Sequence, residues 1–465
     1  MTDLQNYYQC HRQNGEPPER FPDNHVKFSP LLKPLEWVDR AYGLFGSKAF
    51  KVRDAMLEEF DSAAPLDAHL GTPEDVRHVR DLVELFGKGI DDNPFISSIG
   101  RFLIRENSLG LLKNRRQTLQ FYHQNRAFID TNGKVKGPVI ITGVPRSGTT
   151  LLHRLMSEDP NTRAPYTFEI EMSVPPMAMG ANPLEDPRIK SSGAALNRMA
   201  RYAPGYLEKF AESHYLSPTE REESHIFMLA HNGLPPTHVS AGKAYMDRFF
   251  DIEPRRSILK YEHLFFTMLD AFRPARSHWT LKAPDYSGSF PLLFEEYPDA
   301  RVVFTHRNPL TTLPSTCRLY ESMCIPFDED GCFDKHRFGQ LGQDLIKNYL
   351  DIPLRSRIEH PEHESQIFDC MYKELFADPI AMVRRIYSEF GLEYTEEFNR
   401  RMISYLEHNR QGRYGRHKYC LEEYGLDAEK VYEEYRDYME HFGYDIPTPA
   451  ERPKSFNFLA KQSLD

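Results

Sequence analysis

Eight consecutive residues, Gly143-Val144-Pro145-Arg146-Ser147-Gly148-Thr149-Thr150, have the spacing of a loop that grips an oxyanion. Two glycines separated by four residues let the chain turn so that successive backbone N–H groups converge on one point. A helix that opens there adds the partial positive charge of its first turn. Thr149 and Thr150 supply hydroxyl donors, and Arg146 supplies a fixed cation. A second arrangement of the same kind lies in VVFTHRNPLTTLPS. Arg307 ends an apolar run, Pro309 can open a helix, and Ser315 falls about two helical turns later. A guanidinium and a hydroxyl so spaced can meet on one phosphate, and the planar guanidinium suits a bidentate oxyanion contact.

The first loop departs from a nucleoside-triphosphate loop. The lysine expected after the second glycine is Thr149, and the cation sits inside the loop as Arg146. Without that lysine, Mg²⁺-assisted handling of β- and γ-phosphates is disfavoured. A phosphosulfate can be held by an arginine, a lysine and backbone dipoles without a metal. TGVPRSGTTLL resembles the donor loop of the PAPS-dependent sulfotransferases, PAPS being 3′-phosphoadenosine 5′-phosphosulfate. It is most similar to the branch, with bacterial and animal members, that has PRSGTTLL where the cytosolic enzymes place a lysine for the arginine.

The resemblance spans roughly residues 137 to 425 and implies a set of roles. Arg146, Ser147, Gly148, Thr149 and Thr150 would bind the 5′-phosphosulfate. Arg307 and Ser315, in the family's R-x7-S spacing, would read the 3′-phosphate. Tyr372, in MYKELFADP, resembles a tyrosine that lies against the nucleotide, although Lys373 replaces the acid usual after it. GRYGRHKYCLEEYGL resembles a C-terminal stretch in which Arg413, Arg416 and Lys418 would close over the donor. As bare sequence it reads equally as a solvated basic loop.

Sulfuryl transfer needs a base, cations on the transferring group and leaving oxygen, and an acceptor held in line. Lys282, in TLKAPDY at a strand end, is the expected partner of Arg146 in charge stabilisation, matching the family's Lys-x-Pro element. Glu169, in PYTFEIE, is the expected base, with Tyr166 and Phe168 as aromatic walls and Glu171 as close competitor. Asp285 stands where many members carry a histidine, which weakens a histidine mechanism and leaves that aspartate as a second carboxylate candidate. His153, His225 and His306 read as structural but stay open as bases. Glu220, Glu222 and Glu223 read as a solvated helix face that could line an acceptor cleft.

The elements that must position these residues follow from periodicity. Apolar runs at 138–144, 278–283, 300–307 and 366–375 suit short buried strands, and each is followed by helical patterning. That alternation predicts an α/β fold, a P-loop-like parallel sheet flanked by helices, with ligands at the carboxyl ends of its strands. Residues 1–135 read as a helical N-terminal extension, 136–450 as the sulfotransferase domain and 451–465 as a tail.

Composition narrows the field. With 40% hydrophobic and 27% charged residues, the 465-residue chain can build a packed core. A net charge of −10 argues against nucleic-acid or anionic-membrane binding. The six cysteines lack metal or CxxC spacing, which predicts no metal and no disulfide framework. The N-terminus lacks a signal-peptide pattern and no stretch approaches a membrane span, so a cytoplasmic enzyme is expected. The partner expected is a small-molecule acceptor sulfated at a hydroxyl or amine, with release of PAP; a homo-oligomer is compatible with the sequence. An ATP-using nucleoside or small-molecule kinase and a non-catalytic nucleotide-binding protein are the alternatives.

Overall fold

Four short runs pair side by side, all parallel: β1 (Val139–Gly143), β2 (Thr280–Lys282), β3 (Arg301–His306) and β4 (Ile367–Met371), with β1 and β3 rich in β-branched residues. The sheet order is β2-β1-β3-β4. In the computed structural model the residues described are 28–44, 48–64, 66–67, 71–211, 214–324, 327, 335–409 and 420–444. Register pairs Ile141 with Lys282, Gly143 with Thr305 and His306 with Met371. These pairings bring the carboxyl ends of all four strands to one edge.

Alternate residues along each strand face opposite sides. Val139, Ile141 and Val303 pack with Leu152, Leu155, Met382, Val383 and Ile386 from helices Thr149–Met156 and Pro379–Glu389. Ile140, Val302 and Phe304 pack on the other side with Phe265, Leu269 and Phe290. Both faces are covered, as an all-parallel sheet requires.

The helices before the sheet belong to that second cluster. Val79, Leu82, Val83, Phe86 and Ile90 form the buried stripe of helix Pro73–Asp92, which opens on a Thr72–Asp75 capping box. They share one continuous core with Ile258, Leu259 and Phe266 of helix Ile252–Phe272. Helix Ser98–Asn132 adds Ile104, Leu112, Leu119 and Ile129. Among the described residues, no helix is long and apolar enough to cross a membrane.

Candidate active site

Each strand end delivers one part of the site. β1 runs into the loop 143–150, Lys282 is the last residue of β2, Arg307 follows β3, and Tyr372 follows β4. The loop turns on three residues with positive φ: Gly143 at 129°, Arg146 at 65° and Gly148 at 96°. A Cβ on Gly143 would lie 2.3 Å from the Thr305 carbonyl oxygen, so only glycine lets β1 and β3 approach this closely there. Arg146 holds a left-handed conformation rare outside glycine, the kind of local strain that gathers at ligand-gripping turns.

The two segments expected to cradle oxyanions meet. Arg307 donates through a terminal guanidinium nitrogen to the Arg146 carbonyl at 2.6 Å, and Arg146 Nε donates to Ser315 Oγ at 3.2 Å. Tyr372 lies under the Arg307 guanidinium, 4.4 Å from ring centroid to the central carbon, and packs on Phe376. Arg307 Nε is buried without a hydrogen-bond partner, which leaves donor capacity inside the site. Ser147 is fully buried, with its hydroxyl bonded to the Val144 carbonyl and the Thr305 hydroxyl at 2.5 Å each. Its side chain shapes the loop. Thr149 and Thr150 open the helix beside it. Arg413, Arg416 and Lys418 lie outside the described residues, as does the tail 451–465.

Lys282 reaches across the start of that helix. Its ammonium, only 1% exposed, donates to Thr150 Oγ1 at 3.4 Å and to Glu223 Oε1 at 2.5 Å. The expected base, Glu169, is not part of this group. Its carboxylate is fully buried, accepts from Arg163 at 2.9 Å and caps its own short helix through the Tyr166 N–H at 3.2 Å. Arg163 stacks over Trp279, and burial pulls its guanidinium below the ordinary arginine range. This carboxylate holds a buried cation in place. Tyr166 and Phe168 stack on each other, with Arg221 and Arg188 over their faces. Glu171 pairs with Ser192, and burial raises its carboxyl.

Asp285, His225 and His306 are held in structural bonds, whereas both ring nitrogens of His153 are buried without a hydrogen-bond partner. Asp285 accepts from the Tyr349 hydroxyl at 2.5 Å. His225 sits between Glu262 and Ser289, stacked on Tyr286. His306 sits between Tyr438 and Asp369, and burial lowers its ring. His153 is completely enclosed, with burial and then Lys282 driving its ring well below its ordinary range.

The acidic run differs from its expected form. Residues 220–223 are no solvated helix face. Arg221 bridges Tyr166 in antiparallel fashion, Glu222 is 2% exposed, and Glu223 is the non-helical residue that opens helix Ser224–His231. Glu222 pairs with His214 at 3.1 Å. Burial works to raise its carboxyl, but His214, with Lys282 and the Glu223 N–H, prevails and holds it at about 2. Among the described residues, His214, Glu222 and Glu223 form a group with ligand atoms within 4.8 Å, where Lys282 already supplies a cation to Glu223. Phe210 packs on the His214 ring within an apolar cluster of Ala203, Tyr206, Leu319 and Met323. An apolar wall therefore stands beside the carboxylates, a juxtaposition that no local pattern in the sequence announces.

Comparison with known proteins identifies the family and the fold. The profile of the sulfotransferase family matches residues 138–396. The chain is 24% identical over 327 residues to the omega-hydroxy-beta-dihydromenaquinone-9 sulfotransferase Stf3 of Mycobacterium bovis, covering 67% of this chain and 76% of that protein. The same figures hold for Stf3 of Mycobacterium tuberculosis. The fold is similar to sulfotransferase STF9 from Mycobacterium avium, with a TM-score of 0.73 at 23% identity over 86% of this chain and 98% of that one. It is also similar to STF1 from Mycobacterium tuberculosis, with a TM-score of 0.65 at 24% identity over 81% and 97%. The family profile covers more than half of the chain and includes all four strand ends, so this protein belongs to the sulfotransferase family and is a sulfotransferase.

Proposed function

We propose that the enzyme takes its sulfuryl group from PAPS and delivers it to a hydroxyl or amine on a small acceptor with a largely apolar body, releasing PAP. The observation that carries the donor assignment is the bond from Arg307 to the Arg146 carbonyl, between residues 161 apart in sequence. Two cation-bearing segments at one sheet edge suit a nucleotide with an anion at each end. In this reading Arg146 and the backbone of Ser147 to Thr150 hold the 5′-phosphosulfate, Arg307 and Ser315 hold the 3′-phosphate, and Tyr372 flanks the nucleotide. Lys282, buried next to Thr150, is aimed at the oxygen that leaves with the 5′-phosphate.

The apolar cluster beside Glu222 and Glu223 supports an acceptor with an apolar body. The curated relatives are named for an omega-hydroxylated dihydromenaquinone, an alcohol on such a body. Thermal shift tests the donor: PAP should stabilise the protein more than ATP with Mg²⁺, and the reverse order would turn the assignment toward a kinase. Transfer of labelled sulfate from PAPS to phenols and long-chain alcohols tests the reaction. It should be unchanged by EDTA, and loss of transfer on chelation would establish a metal requirement.

A further inference from the structure

We propose that Glu223 is the general base that takes the acceptor's proton. This inference rests on the donor assignment above and adds the residue that activates the nucleophile. The transfer needs a carboxylate within reach of the sulfuryl group, open to an incoming acceptor and fixed in position. Glu223 meets all three conditions. It shares the Lys282 ammonium with Thr150, which places its carboxylate one side chain from the first turn of the donor helix. Its side chain is 17% exposed, whereas Glu169, Glu262 and His153 are completely enclosed.

Its position is fixed from both sides by the backbone. The Glu223 N–H donates to Glu222 Oε1 at 2.9 Å, and the next residue, Ser224, accepts from the Lys282 N–H through Oγ at 3.2 Å. The Tyr166–Arg221 bridge pins the chain just before it. The Glu223–Lys282 pair is therefore set by two backbones rather than by the reach of two flexible side chains. Glu222, the residue next door, is 2% exposed. Glu222 itself is locked by His214 and by that backbone bond.

In the step proposed, the acceptor oxygen bonds to sulfur as the bond from sulfur to the bridging oxygen breaks. The bridging oxygen departs with the 5′-phosphate and its electron pair, beside the Lys282 ammonium. The acceptor proton ends on a Glu223 carboxylate oxygen. The apolar wall of Phe210, Tyr206, Leu319 and Met323 stands on the His214 side and would receive the body of the acceptor.

The test compares wild type with Glu223→Gln on labelled PAPS and three acceptors: farnesol, 2-naphthol and 4-nitrophenol. The last, with all assays run at pH 8, is largely ionised and needs no base. Release of inorganic sulfate to water is followed in parallel, and PAP affinity is measured by thermal shift. Loss of the base should lower kcat on farnesol, 2-naphthol or water at least about 100-fold. PAP affinity should stay within threefold, and the defect should shrink at least tenfold with 4-nitrophenol. Retained kcat overturns the proposal. So does an equal loss on all acceptors together with a parallel loss of PAP affinity, which would make Glu223 only the structural partner of Lys282. A wild-type protein that binds PAP but transfers sulfate to none of these, water included, overturns the reaction and the base with it. Failure to bind PAP overturns the donor assignment instead.

Discussion

Two glutamates in this molecule do opposite work. Glu169 neutralises Arg163 in a place without solvent, so Glu169→Gln leaves a buried guanidinium unpaired. Breaking such a pair costs about 3–5 kcal/mol, and a thermal or urea melt should register it; a loss under about 1 kcal/mol would show the pair to be idle. Arg307→Ala removes a charged donor from the proposed 3′-phosphate contact. PAP affinity should fall by about 1.5–3 kcal/mol, roughly 10- to 150-fold, while AMP affinity changes little. Equal losses for both nucleotides would place Arg307 elsewhere on the donor. The loop stands out in the sequence because its residues are contiguous and their expected chemistry is local. The Glu223–Lys282 pair does not, because the two lie 59 residues apart and an acidic run before an apolar stretch says nothing about which carboxylate turns inward. Glu169 misled for the same reason, since its partner Arg163 could not be seen from its spacing.

At the scale of elements, the sheet carries the site because its strands end together. Each strand was readable as a short apolar run, and the alternation with helices implied the parallel arrangement. The ends were less readable. The run at 278–283 keeps only Thr280–Lys282 in the sheet, because Trp279 turns its indole to Asp270 and bridges Arg163. The close approach of β1 and β3 gives a sharp expectation. Gly143→Ala would need a left-handed backbone, costing about 1–3 kcal/mol, and would also press a methyl group on Thr305. Stability and PAP binding should fall together; a variant with wild-type PAP affinity would show that the loop tolerates a wider strand separation.

Across the whole molecule, several histidines are enclosed in the core. Burial lowers His231, His238 and His278 to about 4 each, from an ordinary 6.5. The unfolded chain therefore takes up protons that the folded chain refuses. Their contribution to stability is complete above about 6.5 and is lost as the pH falls toward about 4, on the order of 1–2 kcal/mol per ring at pH 5. Asp67 and Glu171, raised by burial, act in the opposite sense below neutrality. The histidine share is best read as the flattening of the urea-midpoint slope between pH 7.5 and 5 in His238→Phe. An unchanged slope would mean that this ring titrates alike in both states.

Helices before residue 135 were readable from their three- and four-residue spacing, but their union with the sheet was not. Phe86 and Ile258 enter one cluster although the chain between them holds β1 and the donor loop. The stretch matched by the family profile is thus no self-sufficient module: cut free, it would bare the flank of Ile252–Phe272 to water and aggregate. If the proposed acceptor wall holds, new acceptor preferences are built by repainting Phe210 and Met323 one side chain at a time, since grafting blocks of chain would tear the foundation they stand on.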